Sequence, residues 1–204
     1  MEYRSMNRST TTIVLNLIII NALFFFGEML LGSNSFIGGI INLLPLFPLG
    51  SGYFQPYQLI SYMFLHAGFS HLLLNMFGLW MFGSLMERLW GPKRFLFFYV
   101  VCGVAAGLAQ LFLGNGPAVG ASGAIMGLLV AYGYSFPNTQ LFVFPIPFPI
   151  KAKWAVLGIL ALDIFGGISN SPADNIAHFA HLGGAVIGFL IVLFWNKTDR
   201  QRFY

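Results

Sequence analysis

Residues Pro117 to Gly133 read PAVGASGAIMGLLVAYG, and the fold turns on how this stretch is placed. From Ser122 onward it is apolar enough to sit in lipid, whereas the preceding GNGPAVGA is rich in helix breakers. A helix from Ser122 to about Phe136, rising 1.5 Å per residue, spans roughly 22 Å and falls short of a hydrocarbon core of about 30 Å. If its inner end reaches one surface, its outer end starts below the other, and the loop must dip inward to meet it. Irregular backbone at that depth is tolerated only where protein or a water-filled cavity surrounds it. Ser122 is therefore predicted at the floor of a wet depression. Three readings of this serine stand at this point: a small residue for close helix packing, a satisfied helix terminus, or a nucleophile.

Working outward, the 204-residue chain is 57% hydrophobic and 8% charged, with a mean hydropathy of +0.78, against roughly 25% charged residues in a soluble domain. It reads as a multi-pass membrane protein. No Asp, Glu, Lys or Arg occurs between Glu28 and Glu87, or between Arg94 and Lys151, and each gap holds two spans of about 20 residues. Clusters of Gly, Pro, Asn and Ser divide the apolar sequence into spans 11–31, 57–84, 93–114, 122–136, 152–168 and 177–196. The expectation is an all-α bundle of six helices with a short fourth one, flanked by an N-terminal segment 1–10 and a tail 197–204. GSNSFIGGIINLLPLFPLGSGYFQP, between the first two spans, is read as partly embedded in the interface. NTQLFVFPIPFPIK, between the fourth and fifth, is read as extended because its prolines forbid a continuous helix.

With six spans, all ten Lys and Arg (Arg4, Arg8, Arg88, Lys93, Arg94, Lys151, Lys153, Lys197, Arg200 and Arg202) fall on the side of the two ends. The positive-inside rule makes that side cytoplasmic. An odd number of spans scatters the charges over both faces. The net charge of +4 then reflects topology and contact with anionic lipid, and needs no nucleic-acid partner. The first span lacks a small-x-small cleavage site and is read as a retained helix. Cys102, the single cysteine, forms no intramolecular disulfide. Glu28 is expected at the interface end of the first helix, Trp90 and Trp154 as interfacial anchors, and Asp174 as a cap on the sixth helix. Asp163 falls mid-span, where an ionised carboxylate is costly, and is expected to be protonated or paired, with His178 as the candidate partner.

Three segments carry the remaining polar groups. In HAGFSHLLLNMFG, His71 and Asn75 are four apart and share a helix face; an interhelical hydrogen bond explains them as well as chemistry does. In AHFAHLGGAVIG, His178 and His181 precede Gly184 and Gly188, and Gly123 and Gly127 offer the same spacing after Ser122. Helices with such faces approach closely, which brings Ser122 and His181 within plausible contact distance near the outer ends of their helices. Amide hydrolysis needs a nucleophile, a base to take its proton, and donors for the oxyanion. Ser122 supplies the first and the His181 imidazole the second. The Ser122 backbone N–H at a positive helix end, with His71 and Asn75, supplies the third. A zinc protease wants HExxH, which is absent, and neither a metal nor any other cofactor is expected.

In combination these segments resemble the rhomboid family of intramembrane serine proteases. GASGAIMG is similar to that family's GxSG motif, HAGFSHLLLNMFG to its HxxxN segment, AHLGGAVIG to its AHxxGxxxG segment, and MERLWG, from Glu87 to Gly91, to its ExxxG turn. The resemblance implies a six-helix rhomboid-type bundle. It further implies Ser122 as nucleophile and His181 as general base, in a dyad without a third acidic member. His71 and Asn75 match oxyanion-stabilising positions, and Gly120 matches the glycine that permits the tight approach to the helix. His66 matches a histidine read as a structural loop tether. Met126 stands where some members carry an aromatic residue against the catalytic imidazole, and a basic motif frequent in the first external loop is missing. The implied activity is cleavage of single-pass transmembrane proteins near the external end of their spans, with substrate entering laterally beside the fifth helix. The alternative is a catalytically inactive relative that binds transmembrane helices for trafficking or quality control.

Overall fold

The computed structural model describes residues 12–32, 36–143, 146–169 and 176–198. Asp174, expected as a helix cap, and Arg4, Arg8, Arg200 and Arg202 lie outside the described residues. The described chain is mostly helical: α1 (Thr12–Leu31), α2 (Phe36–Ile41), α3 (Gln58–Ser61), α4 (Phe69–Trp90), α5 (Pro92–Leu113), α6 (Ser122–Ser135), α7 (Ala152–Ser169) and α8 (His178–Thr198). Five of these, α1, α4, α5, α7 and α8, are long and apolar enough to cross a membrane. Between α6 and α7 the described part of the proline-rich segment is extended only at its ends, which pair as an antiparallel hairpin of β1 (Gln140–Leu141) with β2 (Ile150–Lys151).

The second span departs from its expected limits of 57–84. Residues Gln58 to Phe64 form α3 and a following 3-10 turn, and the long helix begins only at Phe69 and runs on to Trp90. Its extension past Glu87 has a physical reason. The buried Glu87 carboxylate accepts hydrogen bonds from the backbone N–H groups of Ile13 at 2.9 Å and Val14 at 3.0 Å, in the first turn of α1. The first N–H groups of a helix lack intrahelical acceptors and attract negative charge, so each group solves the other's burial. Trp90 is also corrected: it is buried, with its ring 4.8 Å from Phe98 and 5.2 Å from Trp195. Trp154 is exposed, with the Lys153 ammonium 5.4 Å from its ring centre. Gly91, at φ 82°, breaks the chain between α4 and Pro92 at the first position of α5, a backbone angle that favours glycine.

At the centre sits α6, with Gly123, Ala124 and every residue from Met126 to Gly133 buried. A helix apolar on all sides belongs inside, and it packs against α5 and α8. The loop that leads into it is fixed by backbone pairing: Leu46 and Ala118 exchange N–H to carbonyl bonds at 3.0 and 2.9 Å, and the Gly120 N–H donates to the Tyr62 carbonyl at 2.9 Å. The buried Gln58 fixes the loop that carries Leu46. Its amide donates to the carbonyls of Leu43 and Tyr53, and its oxygen accepts from the Phe47 N–H. The irregular backbone ahead of Ser122 is thus hydrogen-bonded to other protein, as burial demands.

Candidate active site

Ser122 opens α6 and His181 lies in the first turn of α8. Glycine sets their separation. A Cβ added at Gly184 collides with the Gly123 carbonyl, and one at Gly188 stands 2.7 Å from the Gly127 Cα. The two helices therefore touch backbone to backbone, and Ser122 Oγ lies 2.8 Å from His181 Nε2. The other ring nitrogen of His181, Nδ1, lies 2.9 Å from Oδ1 of Asp163 in α7. A carboxylate oxygen offers only lone pairs, so Nδ1 carries the proton and donates. Nε2 is then the acceptor, and the Ser122 hydroxyl donates to it.

Gly120 has φ 124°, a conformation that excludes most side chains, and the space where a Cβ would stand is taken by the His71 ring. That position is 2.8 Å from both His71 Nε2 and Cε1, and 3.7 Å from Ser122 Oγ. Nδ1 of His71 accepts from the Ala67 backbone N–H at 3.3 Å, which leaves the ring proton on Nε2, facing the serine loop. Asn75 is buried, and its amide donates to the His71 backbone carbonyl at 2.8 Å. His66 is buried with its ring centre 5.1 Å from that of His71, and Met126 is buried in the core.

His178 occupies the far side of Asp163, its Nδ1 2.8 Å from the same Oδ1. The pairing weighed for Asp163 and His178 is present, but the contact of Asp163 with His181 has no counterpart in the sequence reading. One signal pointed to it: an ionisable residue in mid-span is a functional candidate by default. Asp163, His178 and His181 each present a ligand atom within 4.8 Å of one another, close enough to suggest a cation. A zinc ion with bonds of about 2.0–2.1 Å in a tetrahedral site holds its ligand atoms about 3.3 Å apart. The nitrogen–oxygen contacts of 2.8 and 2.9 Å are hydrogen-bond lengths instead.

The Rhomboid domain family matches this chain over residues 53–197, a stretch that includes α3 to α7, all but the last residue of α8, and every polar group of the site. The chain belongs to the rhomboid family. It is 32% identical over 153 residues to Rhomboid protein 1, mitochondrial, of Saccharomyces cerevisiae, covering 71% of this chain and 44% of that protein. To Rhomboid protease GluP of Bacillus subtilis it is 33% identical over 134 residues, covering 65% of this chain and 25% of that protein. To the human Presenilin-associated rhomboid-like protein, mitochondrial, it is 33% identical over 141 residues, covering 66% and 36%. The rhomboid chain here thus spans less than half the length of each of these relatives. Family membership and the apolar helices make it a multi-pass membrane protein of a family whose chemistry is intramembrane proteolysis.

Proposed function

We propose that this rhomboid is an intramembrane serine endopeptidase that cleaves single-pass transmembrane proteins near the external end of their spans. The observation that carries the reading is the 2.8 Å contact between Ser122 Oγ and His181 Nε2. In the reaction the Ser122 proton passes to Nε2 as Oγ attacks the scissile carbonyl carbon. The carbonyl oxygen becomes an oxyanion held by the Ser122 N–H and the His71 Nε2–H. As the tetrahedral intermediate collapses, the C–N bond breaks and the leaving amine takes the proton from Nε2. Water then attacks the acyl-enzyme carbonyl and gives a proton to Nε2; the C–Oγ bond breaks, Ser122 Oγ takes that proton back, and the acid leaves. No metal or cofactor takes part in these steps.

In this reading α6 is the fourth of six crossings within a protease domain 11–196, with 1–10 and 197–204 as tails on the cytoplasmic side. At 14 residues α6 measures about 21 Å against a core of about 30 Å, so Ser122 lies below the outer surface. The cell (inner) membrane is the proposed location, on the positive-inside rule. An intact substrate helix hides its peptide bonds, so the substrate unwinds as it enters the depression. Lateral access beside α7 is supported by that helix's sparse packing: it buries only Ala152, Ala155, Val156 and Asp163.

The test uses purified protein in detergent with a model transmembrane substrate and a fluorophosphonate probe. Ser122→Ala and His181→Ala are expected to abolish cleavage, and Ser122→Ala to abolish labelling. Undiminished cleavage by either variant would end the assignment, and a wild type that neither cleaves nor takes up the probe would favour a helix-binding, inactive relative.

A further inference from the structure

A neutral imidazole exists as two tautomers, and only the one with a bare Nε2 can take the Ser122 proton. Something must hold His181 in that state and keep its ring turned toward α6. Asp163 is 6% exposed on a helix whose other buried residues lie in its first turn and a half, and its Oδ1 meets His181 Nδ1 at 2.9 Å. We propose that Asp163 is a positioning residue for the hydrolytic reaction: its carboxylate fixes the Nδ1–H tautomer and orientation of His181, adding an acidic third member to the Ser122–His181 pair. The proposal rests on the protease reading of that pair.

The surrounding geometry favours a built arrangement. His178 ties the same oxygen from the other side at 2.8 Å, so the carboxylate is held between two donors. Gly166, three residues after Asp163 and on the same face of α7, leaves the room that the His178 ring fills, since a Cβ there collides with that ring. The carboxylate also stabilises the imidazolium that forms when Nε2 accepts the serine proton, without itself taking a proton.

The experiment uses the full chain in detergent micelles with the model transmembrane substrate. Asp163→Asn can turn an amide N–H toward Nδ1 and so favours the unreactive tautomer. Its kcat is expected to fall by about 10²–10⁴-fold, with KM changed by less than about threefold, since the change falls on the chemical step and not on substrate binding. Fluorophosphonate labelling to completion counts the folded sites. A purely structural role lowers that count while kcat per labelled site stays at the wild-type value, and this outcome overturns the proposal. For the case in which Asp163→Asn does not fold, the wild type is read by nitrogen-15 NMR of labelled histidine, with His178→Gln used for assignment. The Nδ1–H tautomer of His181 is expected at neutral pH, and the Nε2–H tautomer refutes the assignment. Activity lost to a chelator and restored by zinc also overturns it, in favour of a metal site. Ser122→Ala separates the two levels. If it is inactive while Asp163→Asn turns over normally, only the positioning role fails; if Ser122→Ala cleaves, the protease reading fails with it.

Discussion

The two side chains expected to steady an oxyanion are not equivalent in the folded protein. His71 receives the Ala67 N–H on Nδ1 and turns Nε2–H toward Gly120 and Ser122, whereas the Asn75 amide donates to the His71 carbonyl one turn back. One oxyanion donor is worth about 2.7–4 kcal/mol in a water-excluded site. His71→Ala is therefore expected to lower kcat by about 10²–10³-fold, and Asn75→Ala by a smaller factor, because one N–H of the Asn75 amide is already held by the His71 carbonyl. Steady-state kinetics on the model substrate check this, and a larger loss for Asn75→Ala refutes the ranking. Ser122, His181 and His71 were legible because small residues and helical spacing mark where helices meet and which faces carry polar groups. The pairing of Asp163 with His178 was legible too, but its contact with His181 was not. A helix as uniformly apolar as AVLGILALDIFGG has no stripe to fix its rotation, so sequence places Asp163 at a depth and leaves its direction open.

Helices show the same division between what spacing reveals and what tertiary contact decides. The small-residue faces of α6 and α8 were visible as Gly123, Gly127, Gly184 and Gly188. The extent of α4 was not, because apolar sequence continues through 57–66 and the charge of Glu87 reads as the end of a span. Its burial depends on the N–H groups of α1, about 73 residues away in sequence, a contact no local pattern announces. The glycine contact carries a prediction with an internal control. Gly184→Ala drives a methyl into the Gly123 carbonyl, with no flexible side chain to give way, and overpacking of this kind costs about 1–3 kcal/mol. The variant is expected to unfold at lower temperature in detergent and to lose activity as α8 and its His181 move away from Ser122. Gly158→Ala, where a Cβ meets nothing within 4 Å, is expected to be neutral or up to about 1 kcal/mol more stable, since alanine is the better helix former. Equal melting temperatures for Gly184→Ala and wild type would show that the close approach is dispensable.

Across the whole molecule the cations distinguish between five crossings and six. Five helices pass on length and apolarity, while α6, with 14 residues, does not. Were α6 confined to one side, Lys151, Lys153 and Lys197 would emerge opposite Arg88, Lys93 and Arg94, and the positive charge would be split across the membrane. If α6 crosses, all of these cations share one face, which the positive-inside rule favours. The short helix can span only if its outer end is sunken, so the crossing that unifies the charges is the one that lowers Ser122 into the membrane. The chain's single cysteine, Cys102, is buried, so Cys102→Ala gives a background for accessibility labelling. Single cysteines at Lys93 and Lys151 are expected to react with a membrane-impermeant maleimide from one side of sealed vesicles. Cysteines at Tyr53 and Gly116 are expected to react from the other side. Labelling of positions 93 and 151 from opposite sides would remove α6 from the membrane and the depression along with it.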